Sequence, residues 1–135
     1  MKRLAAVIAG AVTFLAVHAI LVRTWPVWSS GADGFAPWFM NSGRAVLLAA
    51  AVFLAVSAIC GATLSEPRAE SAAMTAGHVT IGAVLVMIGV LFRLPGGPGT
   101  LFPVAIVVGA LVIGGASVTG AVLAACGRAL FARRR

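Results

Sequence analysis

Four stretches of this 135-residue chain contain no Asp, Glu, Lys or Arg: residues 4–22, 45–64, 72–92 and 101–125. The whole chain has three acids (Asp33, Glu66 and Glu70), two histidines and two cysteines. Each scarcity excludes a chemistry. Without a carboxylate inside the long runs, no Ser/His/Asp arrangement can be assembled there. Ion-coupled carriers and proton channels keep an ionisable group at membrane depth, and these runs offer no Asp, Glu, Lys or Arg for that role. The chain has no C-x-x-C and no H-x-x-x-H, so no metal motif is present. The Gly- and Pro-rich segment 93–100 has no lysine and follows no strand, which excludes a phosphate-cradling loop.

What the chain has instead is apolar length. Hydrophobic residues make up 61% of it. A helix rises about 1.5 Å per residue, so about 20 apolar residues match a hydrocarbon core of about 30 Å. A water-soluble domain of this size could not hide so much apolar surface. The sequence therefore predicts an all-α fold: a four-transmembrane-helix bundle, residues 1–135 as one domain, with spans near 4–22, 45–64, 72–92 and 101–125. The first run is longer than a secretory signal core of about 7–15 residues and is expected to stay as a span.

The net charge of +7 follows from ten Lys and Arg residues against the three acids. No basic stripe interleaves with aromatics, so nucleic acid is not an expected partner. With the N-terminus in the cytoplasm, Lys2, Arg3, Arg68, Arg128, Arg133, Arg134 and Arg135 lie inside, and Arg23, Arg44 and Arg93 lie outside. The positive-inside rule selects this orientation, with both termini cytoplasmic. The Ala-, Gly- and Arg-rich composition suggests a GC-rich bacterial genome, and with it a bacterial inner membrane as the expected location.

The longest connection, 23–44, contains all three tryptophans, Trp25, Trp28 and Trp38, followed by Phe39. Tryptophan prefers the head-group level. This outer loop is expected to lie on the membrane surface, turn at 29–34 and contact lipid or a partner chain. The connection 65–71 is short, so spans two and three are expected to be antiparallel neighbours. Inside lipid, helices associate through close approach at small residues. The candidates are Ala6-x-x-x-Gly10, Ala51-x-x-x-Ala55, Ser57-x-x-x-Gly61, Ala110-x-x-x-Gly114 and the series Ala116, Gly120, Ala124. Gly114 and Gly120 are the positions expected to contact a partner chain or lipid. Four short helices have too little interior to use every strip, which points to other subunits or further copies of the chain.

Two histidines in spans raise haem ligation. His18 stands about 21 Å along span one and His78 about 9 Å along span three. The difference of about 12 Å is too great for one iron, so haem would need a ligand from another subunit. Cys60, His78 and Cys126 share the inner side and are soft metal ligands, without motif spacing. Ser57, Thr75, Thr80, Ser117 and Thr119 are small hydroxyls that either line a path or bond back to their own helices.

In length the chain resembles the small multidrug exporters, the dual-topology fluoride channels and the flippase-like GtrA proteins. Span one lacks the glutamate of the exporters, and the Thr-Thr-Phe-Ser signature of the fluoride channels is missing, so the residues assign no family. The expected function is non-catalytic: an accessory subunit packing into a larger respiratory, photosynthetic or transport complex. The alternatives are a homo-oligomeric channel or carrier for a neutral or apolar solute, and a haem-binding electron-transfer subunit.

Overall fold

A computed structural model describes residues 1–24, 30–31, 34–35, 43–66, 68–93 and 102–133. Four long helices dominate: α1 (Lys2–Thr24), α2 (Gly43–Leu64), α3 (Ala69–Phe92) and α4 (Phe102–Arg133). Two-residue strands β1 (Ser30–Gly31) and β2 (Gly34–Phe35) pair antiparallel between α1 and α2. Trp25, Trp28, Trp38 and Phe39 lie outside the described residues.

All four helices are long and apolar enough to cross a membrane, with mean hydropathy between 2.0 and 2.5. Their outer faces carry large apolar side chains, among them Leu47 at 71% exposure and Leu111 at 70%. Such a continuous apolar exterior would aggregate in water. Hydrocarbon is the solvent that matches it.

The helices outrun the charge-free stretches. α1 starts at Lys2 and α3 at Ala69, before the apolar runs begin, and α4 continues to Arg133. Charge limits the buried length, whereas helix propensity ignores it; Ala, Leu and Arg are all good helix formers. At 32 residues α4 rises about 48 Å, well beyond a hydrocarbon core of about 30 Å. Arg128 lies in its last two turns.

α1 packs closely on α3, α3 on α4, and α4 on α2. Lighter contacts of α2 with α1 and with α3 close the ring. The α2 and α3 helices are antiparallel and touch, as their short connection implies, but the principal partner of each lies elsewhere. Glycine decides the pairing. A Cβ on Gly10 would overlap the carbonyl oxygen of Val79, and a Cβ on Gly82 would overlap that of Val7. The same reciprocity joins α2 and α4. A Cβ on Gly120 would overlap the Leu54 carbonyl oxygen, and one on Gly61 would sit 2.9 Å from the Ala121 Cα. Backbone rests on backbone in both pairs, as close packing in lipid requires. Gly114 makes an ordinary contact, 3.6 Å from its would-be Cβ to the Thr80 methyl.

Each inner face follows the helical repeat. Ala45, Ala49, Phe53, Ser57 and Gly61 of α2 are buried, as are Ala72, Ala76, Val79, Ala83 and Met87 of α3. Ala72 and Ala76 meet Ala121 and Ala125 in an all-alanine cluster that brings α3 and α4 together. The bulky core residues Phe14, Leu21, Phe53, Met87 and Ile113 belong to a separate cluster.

Candidate functional site

The chemistry-bearing residues gather at one end of the bundle. The starts of α1 and α3 meet the end of α2 there, around a cleft lined by Lys2, Arg3, Leu64, Glu66, Ser71 and His78 among others. Arg128 of α4 reaches the same α2 terminus. The helices thus run up, down, up and down, with the first residue of α1 and the last turns of α4 at the same end.

Arg128 closes α2. The last four carbonyls of any helix lack an intrahelical donor. One guanidinium nitrogen, Nη1, donates to Ala62 O at 2.9 Å and Ser65 O at 3.2 Å. The other, Nη2, donates to Gly61 O at 2.6 Å, Ser65 Oγ at 3.1 Å and Glu66 O at 3.3 Å. The Ser65 hydroxyl itself donates to Gly61 O. A cation at a helix C-terminus also opposes the negative end of the macrodipole. Arg128 Nε is buried with no hydrogen-bond partner among the described residues. Only arginine presents several donors in one planar fork.

His78 lines the cleft, with Nδ1 2.7 Å from Met74 O. A carbonyl only accepts, so Nδ1 carries the hydrogen and Nε2 is a bare acceptor in the neutral ring. His18 is half-buried on α1, its ring nearly parallel to that of Phe14 at 7°, with centroids 6.1 Å apart. His78 precedes Val79, the residue that Gly10 meets, and His18 lies more than two turns further along α1. That is a rise of about 12 Å. The two imidazoles do not converge.

Cys60 is buried on α2 and Cys126 is exposed on α4. Among the described residues no three His, Cys, Asp or Glu side chains come together as metal ligands. The Cys60, His78 and Cys126 set expected from the sequence is therefore not assembled. Similar depth along three helices does not bring side chains onto one face.

The hydroxyls divide in two. Thr75, Thr80 and Thr119 donate to the carbonyls of Ser71, Ala76 and Gly115, four residues back on their own helices. Ser57 and Ser117 are fully buried with no hydrogen-bond partner among the described residues.

Two residues of consequence escape a sequence reading. Gly82 belongs to no small-residue strip, because its neighbours four positions away are His78 and Val86. Arg128 reads as one more inside charge; its spacing to α2 gives no local signal. Comparison with protein-family models, with curated proteins and with solved structures returns no match.

Proposed function

We propose that the chain is a small non-catalytic protein of the bacterial inner membrane, with both termini in the cytoplasm, that packs into a larger membrane complex as an accessory subunit. The observation that carries this reading is the use made of its small residues. Gly10, Gly61, Gly82 and Gly120 are consumed inside the bundle. Ala51 and Ala55 of α2 nevertheless face outward, as do Gly115 and Thr119 of α4. A lone bundle gains nothing from small residues facing lipid. A bundle that seats another helix against α2 or α4 needs them for close approach.

The hydroxyls favour packing over conduction. Three of the five that would line a path for a neutral solute are already bonded to their own helices. The tryptophans of segment 23–44, which favour the head-group level by composition, make that connection a candidate for further contact with a partner.

Purification in mild detergent tests the reading. The wild-type chain is expected to elute with other membrane chains. Ala55→Leu is expected to lower their recovery roughly fivefold, the effect of about 1 kcal/mol of lost packing. A wild-type chain that remains a stable lone monomer would contradict it.

A further inference from the structure

The cleft at the terminal end of the bundle has a volume of about 280 Å³. That suits a lipid head group and is too small for a whole lipid. Lys2 and Arg3 stand at its mouth, and among the described residues neither has an acidic partner within ion-pair distance. The one acid in the lining, Glu66, is held by Arg68 at 3.4 Å. Glu70, one residue into α3, is exposed and does not line the cleft. The local balance is therefore cationic.

The donors and acceptors inside the cleft are arranged around a polar guest. Ser71 Oγ accepts from the Glu66 amide at 3.0 Å, which leaves its own hydrogen free to donate. The first turn of α3 has no side-chain cap, and Glu70 within it offsets part of the positive helix end. In the neutral ring with Nδ1–H on Met74 O, His78 Nε2 is an acceptor suited to a head-group hydroxyl. Met74 of α3 lines the cleft itself, and Leu4 and Ile8 of α1, exposed and outside the lining, offer apolar surface for acyl chains.

The geometry points to a binding site for the head group of an anionic, hydroxyl-bearing phospholipid, its phosphate held by Lys2, Arg3 and Ser71 and its hydroxyl donating to His78. The assignment rests on the membrane reading above, but not on assembly with partner chains.

Native mass spectrometry of the full chain from detergent tests it, with phosphatidylglycerol and phosphatidylcholine of matched acyl chains as probes. The wild type is expected to retain phosphatidylglycerol with roughly thirtyfold preference, the scale that two cations near a lipid surface supply. Lys2→Gln combined with Arg3→Gln should bring the preference close to unity. Thr75→Phe, which fills the cleft without changing charge, should do the same. Arg23→Gln with Arg44→Gln, at the other end of the helices, should leave it intact. An unchanged preference in the first two variants would overturn the site. So would full displacement of the lipid by millimolar inorganic phosphate, which would assign the cleft to the soluble ion. A chain that retains neither lipid would count against the membrane reading itself, whereas binding both lipids equally would count against the cleft alone.

Discussion

Leucine in place of Gly82 should separate α1 from α3 and unfold much of the bundle. The obstacle is main chain. At Gly82 a Cβ would lie 2.8 Å from the Val7 carbonyl carbon and 3.1 Å from the Ala11 nitrogen. No rotamer relieves such an overlap, so the helices must part. Overpacking in a well-filled interior costs about 1–3 kcal/mol, and an unyielding neighbour places this case at or above 3. Gly120→Leu should act alike on α2 and α4, because it drives a side chain into the Leu54 backbone. Gly89→Leu supplies the control. Gly89 is exposed on the same helix as Gly82, and its Cβ would meet nothing within 4 Å. Its effect should stay within about 0.5 kcal/mol. Unfolding in a graded SDS–detergent mixture, followed by helical circular dichroism, measures both. Equal stability of the Gly82 and Gly89 variants would refute the packing described here.

Loss of Arg128 should be nearly as damaging, and more local. Arg128→Ala removes the donors that satisfy the Gly61, Ala62, Ser65 and Glu66 carbonyls. Hydrogen bonds to a charged group contribute about 1.5–3 kcal/mol each when buried. The bonds share one side chain and are partly exposed, so the expected total is about 2–4 kcal/mol. Arg128→Lys should recover less than half of it, since an ammonium cannot span carbonyls on successive turns. Arg68→Ala is the matched control. Arg68 is exposed and pairs only with exposed Glu66 across the surface, which is worth at most about 0.5–1 kcal/mol. Hydrogen exchange gives the spatial readout. Protection of the last turn of α2 should fall in Arg128→Ala while the middle of α3 keeps its own. Uniform loss across the helices, or none, would remove Arg128 from the role of clamp.

Four charge-free runs reveal four helices because hydrocarbon penalises every uncompensated charge, and that penalty is written residue by residue. The ends of α4 are less legible. The apolar run stops near residue 125, yet the helix continues through Arg128 to Arg133, because leaving the hydrocarbon does not end a helix. Gly10, Gly61 and Gly120 stand out through small residues four positions away. Gly82 does not, since the residue that makes it necessary, Val7, is on another helix. The pairing of α2 with α4 is hidden for the same reason: connection length constrains which ends meet, and backbone contact decides which helices stay together. At the candidate site the sequence supplies the ingredients, Lys2, Arg3 and His78, but the cleft that unites them arises only when α1 and α3 lie parallel. Cys60 and Cys126 show the converse, since equal depth from the sequence does not yield a shared face.

The central claim is that four helices cross the bilayer with both chain ends on one side. Cysteine accessibility tests it most directly, in a background carrying Cys60→Ser and Cys126→Ser. Single cysteines are placed at Gly43, Arg93, Glu70 and Ala132, and intact cells are treated with a membrane-impermeant maleimide. Gly43→Cys and Arg93→Cys should label in intact cells, whereas Glu70→Cys and Ala132→Cys should label only after permeabilisation. Labelling of Gly43→Cys and Glu70→Cys from the same side, or of Glu70→Cys and Ala132→Cys from opposite sides, would contradict the account.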